Sequence, residues 1–164
     1  MTHSIVESVD DIVTATAKVT MLWANLRSKD PSTKVGACIY DNRTGGLFMG
    51  YNGFPAGIHD HRHTWMNRED NTNGEDLLTK YDLVVHAEVN AVSKALRVGV
   101  GLTDSFMITT TIPCKQCMKD VVAMHRIPIV YYLNDSYYSR TARDVFVCDE
   151  ITKLCGVSMI KLEI

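Results

Sequence analysis

The sequence predicts an α/β layered domain with a leading β-hairpin, and three observations carry that prediction. Apolar residues recur at helical spacing over 9–28, two short apolar runs flank the turn DNRTGG (41–46), and helix and strand patterns alternate from residue 86 onward.

The elements follow in order. Val9, Ile12, Val13, Ala17, Val19, Leu22, Trp23 and Leu26 fall along one broad stripe, which predicts a helix that Asp30-Pro31 stops. KVGACIY (34–40), rich in small and β-branched residues, suits a strand, and LFMGYN (47–52) is its return partner. From Gly53 to about Tyr81 the pattern dissolves into a long connection with Gly57, Gly74 and three histidines, His59, His61 and His63. Connections of that length inside compact domains often serve as lids or binding segments. A helix near 86–98 stops at Gly99 and Gly101. SFMITTT (105–111) is a strand, 113–126 a helix opened by Pro113, and PIVYYL (128–133) a strand. Residues 140–155 read as a helix ended by Gly156, and VSMIKLEI as the last strand.

One domain is the simplest organisation for 164 residues. A chain of this size buries roughly 70% of its unfolded surface, enough for a core without staples. The formal net charge is -2 and no Lys/Arg block stands out, so the electrostatic footprint of a polynucleotide binder is missing. A small polar or anionic substrate needs only one or two placed cations. Acidic residues stand in MTHSIVESVDDIV where a leader is cationic, and no apolar run approaches the ~20 residues of a membrane span. A cytosolic protein without a signal peptide is therefore expected. Its five cysteines, an odd count, read as reduced thiols, metal ligands or core residues, not as a disulfide framework. Cys38, Cys148 and Cys155 are expected in the core, the last two recurring seven apart on the apolar face of a helix.

The chemistry concentrates in VVHAEVNAV (84–92) and PCKQC (113–117). The latter places Cys114 and Cys117 three apart, on one face of a helix start. Free N–H groups and the helix dipole there favour the thiolate that a metal needs. His86 also opens a helix, which keeps its ring neutral for ligation. Two helix starts can thus point one histidine and two cysteines at a single point. Three protein ligands leave a fourth position for water, as in catalytic zinc sites, where the water's pKa drops from 15.7 to about 7. Glu88 need not be a ligand and can move a proton. Taken singly, CxxC also fits a redox pair or half of a structural zinc site, and Glu88 also fits a helix-start carboxylate. A buried, unpaired carboxylate is costly, however, and HxE followed by PCxxC is the signature of zinc deaminases of nucleobases.

With those motifs, the sequence resembles the deoxycytidylate (dCMP) deaminase family of the cytidine/deoxycytidylate deaminase superfamily. DPSTKVGACI (30–39), GYNGFPAG (50–57), KYDLVVHAEVNAV (80–92) and PCKQC (113–117) appear in family order. The resemblance covers roughly residues 10 to 160. It implies a three-layer α/β/α fold with a mixed sheet of about five strands, as a single zinc-dependent deaminase domain over 1–164. It implies catalytic Zn²⁺ on His86, Cys114 and Cys117, with Glu88 moving protons while a zinc-bound hydroxide converts dCMP to dUMP and ammonia. Asn52 is implied to bond the sugar, the Ala87 backbone to contact the base, and Tyr137 to lie near the nucleotide, with Tyr138 the competing match. Arg97, eleven residues after His86, fits an arginine that in some members reaches the phosphate in a neighbouring subunit's site; it equally fits a solvated helix end. Arg68 is the alternative phosphate contact. Homohexamers, activation by dCTP and inhibition by dTTP with Mg²⁺ also come with the resemblance, as does a supply of dUMP to thymidylate synthesis. HDHRH, with His59, His61 and His63, fits either a second metal site, as in some relatives, or solvated loop histidines. Deamination of another base, nucleoside or tRNA, or zinc-stabilised nucleotide binding without turnover, are the competing functions. Asn90, one turn after His86, is expected to make a supporting hydrogen bond.

Overall fold

A computed structural model describes residues 9–59, 65, 79–135 and 141–164. Ten elements build it around one sheet: helix α1 (Val9–Arg27), strands β1 (Gly36–Asp41) and β2 (Leu47–Tyr51), short helix α2 (Lys80–Leu83), helix α3 (Ala87–Arg97), strand β3 (Ser105–Thr111), short helix α4 (Lys115–Cys117), strand β4 (Ile129–Asn134), helix α5 (Ala142–Cys155) and strand β5 (Ser158–Lys161). A single 3₁₀ turn at Leu102–Asp104 leads into β3.

The sheet is five-stranded, in the order β2-β1-β3-β4-β5. The hairpin β1–β2 and the β1–β3 pair are antiparallel, while β3–β4 and β4–β5 are parallel. This is the mixed sheet that the resemblance implies. The hairpin turn is held by Asp41, whose carboxylate accepts from the Thr44 hydroxyl and the Arg43 N–H. Strand alternation sorts the core into two layers. Phe106 and Ile108 pack with Val13 and Ala17 of α1, and Tyr40 stacks on Phe106 with ring centroids 4.7 Å apart. Ala37, Ile39, Met107 and Val130 point the other way, onto α3, the segment after α4, and α5. Helices therefore cover both faces, as an α/β/α sandwich requires.

Three features differ from expectation. Three large residues of the α1 stripe, Val19, Leu22 and Leu26, are exposed, while Val13 is buried and Ile12 and Trp23 are half-buried. The helix packs instead through small side chains, Thr16, Ala17, Thr20 and Ala24, because it lies close to the sheet. Pro113 sits before α4 and not inside its first turn: the N-cap is Cys114, in extended conformation, whose sulfur accepts the Cys117 N–H. Beyond Cys117 the helix widens over Met118–Ala123 into i→i+5 turns, with Met124 N–H bonded to the Lys119 carbonyl. Cys38 and Cys148 are buried as expected, but Cys155 is exposed. The seven-residue spacing keeps Cys148 and Cys155 near one face, yet it also separates them by about 10 Å along the axis. Cys155 is the last helical residue, before Gly156 turns left-handed (φ 66°).

Candidate metal centre

Two helix starts do converge. His86 is the N-cap of α3, in extended conformation (φ −67°, ψ 151°). Just before it, Val85 and Gly53 exchange both backbone hydrogen bonds, at 2.8 and 3.1 Å, which ties the approach to α3 to the loop after β2. Cys114 and Cys117 come from the start of α4, where the chain leaves β3. His86 Nδ1 lies 3.5 Å from Cys114 Sγ and 3.3 Å from Cys117 Sγ.

Those distances fit a metal. Zinc–sulfur bonds of about 2.3 Å and zinc–nitrogen bonds of about 2.0 Å at a tetrahedral angle put sulfur and nitrogen about 3.5 Å apart. Among the described residues, His86, Cys114 and Cys117 are the His/Cys/Asp/Glu cluster placed to hold an ion. The proton affinities follow from the crowding. Hydrogen bonding from Cys117 brings the Cys114 thiol down to about 4, against its partial burial. The same contact, with burial, pushes Cys117 up, and the Cys114 bond raises His86.

Glu88 lies in the first turn of α3 and is only 4% exposed. Burial raises its pKa, while the His86 ring and a hydrogen bond with the Cys117 side chain oppose the shift. A carboxyl group is thus held beside the metal donors in an environment that helps it keep a proton.

The other predicted residues are distributed differently. Ala87 is fully buried and is the first helical residue, so its N–H is among those a helix start leaves without an intrahelical partner. Asn52, also buried, stands at the end of β2 inside a polar cage: its Oδ1 accepts from the Ser28 hydroxyl (2.7 Å) and the Val35 N–H (2.8 Å). Its Nδ2 donates to the Thr33 carbonyl (2.9 Å) and to Asp30 (3.3 Å). Arg97 is exposed at the far end of α3 from His86, about 16 Å along the axis, and does not join the site of its own chain. Tyr137, Tyr138, Arg68, His61 and His63 lie outside the described residues; His59 is exposed. Asn90 does not bond a residue of the His–Cys–Cys cluster; its Nδ2 donates to the Tyr51 backbone carbonyl at 2.8 Å.

The sequence reading missed an ion pair between Asp30 and Lys80, buried beside Asn52. In the sequence Asp30 marks a helix stop and opens the DPSTKVGACI block, and nothing local marks a partner fifty residues away. A lysine three residues before the apolar run Leu83–Val85 is the available signal.

Fold and site together define a class: an α/β sandwich that joins a His–Cys–Cys cluster able to hold a metal to a buried carboxylate. Residues 10–134 match the family model of the cytidine and deoxycytidylate deaminase zinc-binding region, and the chain belongs to that family. It is 39% identical over 119 residues to a probable deoxycytidylate deaminase of Drosophila melanogaster, covering 72% of this chain but 57% of the fly protein. It is 33% identical over 135 residues to the deoxycytidylate deaminase of Mus musculus, covering 82% of this chain and 71% of the mouse protein. Among solved structures, the dCMP deaminase of the cyanophage S-TIM5 in complex with dCMP and dUMP is similar, with a TM-score of 0.70 and 25% identity. That match covers 95% of this chain and 100% of the phage protein.

Proposed function

We propose that this chain is a zinc enzyme that hydrolyses dCMP to dUMP and ammonia. The observation that carries the reading is the meeting of His86, Cys114 and Cys117 with Glu88 in the same helical turn. The phage dCMP deaminase, a structural match over almost the whole chain and seen with dCMP and dUMP, supports the choice of substrate.

His86, Cys114 and Cys117 would hold the zinc, which when bound acidifies water and so supplies a nucleophile at neutral pH. Glu88 does the proton work: it takes a proton from the attacking water and gives it to N3 of the cytosine. It then takes the remaining proton of the hydroxyl left on C4 and gives it to the departing amine, so that the C4 carbonyl forms as ammonia leaves. Burial raises the proton affinity of Glu88, which suits a group that must hold a proton between those two steps. The Ala87 N–H, left without an intrahelical partner at the helix start, would meet the base carbonyl. Asn52 meets the sugar through the amide hydrogen now aimed, at 3.3 Å, towards Asp30, and Tyr137 or Tyr138 flanks the nucleotide. Arg97, exposed and distant from its own metal centre, would reach the phosphate of a neighbouring subunit; Arg68 is the alternative. Exposed Val19, Leu22 and Leu26 on α1 support self-association, with a hexamer favoured. Activation by dCTP and inhibition by dTTP, with Mg²⁺, in a single cytosolic domain feeding thymidylate synthesis complete the reading, and rest on the family alone. Among the described residues no helix is long and apolar enough to cross a membrane.

The experiment is direct: measure zinc per chain, then ammonia release from dCMP, deoxycytidine, dCTP and cytosine, with and without dCTP and Mg²⁺. Turnover of deoxycytidine but not dCMP would overturn the substrate.

A further inference from the structure

Lys80 and Asp30 form an ion pair inside the protein. The ammonium lies 2.9 and 3.2 Å from the two carboxylate oxygens, and the side chains are only 6% and 5% exposed. Two apolar residues would fill the same space without the cost of desolvating two charges, so packing alone does not account for the pair. What a carboxylate adds is acceptor capacity. Asp30 also receives the Ser32 N–H at 2.8 Å, the Thr33 N–H at 3.3 Å and the Asn52 amide at 3.3 Å. It thereby shapes the loop whose Thr33 carbonyl and Val35 N–H hold the Asn52 side chain.

Lys80 adds reach. It is the first residue of α2, six positions before His86. The segment between is braced: Thr79 and Asp82 form a reciprocal cap, the Val84 N–H bonds the Lys80 carbonyl, and Val85 pairs with Gly53. A push on Lys80 is thus carried to the metal ligand, and a push on Asp30 to Asn52.

We propose that the Lys80–Asp30 pair is a positioning brace that sets the distance between the sugar-binding Asn52 and the metal-binding His86, so that a bound nucleotide spans both. This rests on the reading above, in which Asn52 faces the sugar and dCMP is the substrate. The spacing matters because a small misplacement of a reacting group can cost about 100-fold in rate.

The test uses the zinc-loaded full chain and three variants: Lys80→Met, Lys80→Arg, and Lys80→Met combined with Asp30→Leu. Lys80→Met should raise the KM for dCMP about tenfold or more, with zinc per chain unchanged and kcat per zinc falling less than KM rises. Lys80→Arg, which can still bond both carboxylate oxygens, should keep KM within a few-fold. The apolar double variant should recover the melting temperature lost by Lys80→Met but not its KM. An unchanged KM in Lys80→Met, or a wild-type KM in the double variant, would show that the pair only fills space, and the proposal falls. If the wild-type protein turns over no dCMP, the proposed function fails separately. The dCMP affinity of the same variants by calorimetry then reads the brace: loss in Lys80→Met and the double variant upholds it, and equal affinities or no binding at all end it.

Discussion

Asn90 donates its side-chain amide to the backbone carbonyl of Tyr51 at 2.8 Å, joining the first turns of α3 to the end of β2. Lys94, one turn on, does the same to the Met49 carbonyl at 2.6 Å. The helix that starts with His86 is therefore fastened to the strand that ends beside Asn52. Asn90→Ala should cost about 1 kcal/mol in urea unfolding, the usual net worth of such a bond. It should lower deamination with zinc content unchanged; an unaltered turnover would leave the bond a purely structural one.

Gly50 permits that fastening. A Cβ there would stand 2.1 Å from the Ala87 carbonyl oxygen and 2.5 Å from the Ala91 nitrogen, both backbone atoms that cannot swing aside. Gly50→Ala should destabilise the fold by about 3 kcal/mol, the upper end for overpacking, and weaken zinc retention by shifting His86. Gly101→Ala is the control, since nothing lies within 4 Å of its Cβ position. Equal unfolding midpoints for the two variants would refute the close-contact argument.

Glu88→Gln keeps the shape of the side chain and removes its capacity to carry a proton. Zinc per chain should stay the same while turnover of dCMP falls by about 10²–10⁴, the usual worth of a positioned general acid–base. Retained turnover would assign the proton transfers to another group.

The cysteines should separate by alkylation and peptide mass mapping. In zinc-loaded protein Cys155, exposed, should react first. Cys38 should stay unmodified, because burial pushes its thiol up to about 12 and leaves almost no thiolate at neutral pH. After chelation Cys114 should join Cys155, since its thiol is held down to about 4. For a lowered pKa the reactive anion persists as the solution is acidified, so Cys114 labelling should fade only as the pH falls towards 4. Cys114 labelling that is already complete before chelation would argue against metal ligation.

Much of this architecture was written in local patterns. The α1 periodicity, the Gly99 stop after α3, the hairpin around DNRTGG and the final Gly156 each place an element to within two residues. The meeting of His86, Cys114 and Cys117 was legible for the same reason: His86 and Cys114 each cap a helix start, and Cys117 follows three residues on. The misreadings arose where distance in sequence hides contact in space. Val19, Leu22 and Leu26 look like a packing face, but the neighbouring row of Thr16, Ala17, Thr20 and Ala24 lets the helix come closer to the sheet. The widened turns after Cys117 depend on how Met118, Val121 and Val122 seat in the core, which no propensity reports. Asp30 and Lys80, like Asn90 and Tyr51, meet only after folding, so their roles waited for the structure.

The bare α-carbon of Gly50 also bears on how the metal-bearing helix breathes. Backbone is pressed on backbone between Gly50 and Ala87–Ala91, with no room for even a methyl group there. The amides of Asn90 and Ala91 should therefore exchange with deuterium as slowly as those of the central strands, opening only with the whole sheet. The metal centre would then rest on the least fluctuating part of the molecule, and substrate entry would depend on motion elsewhere.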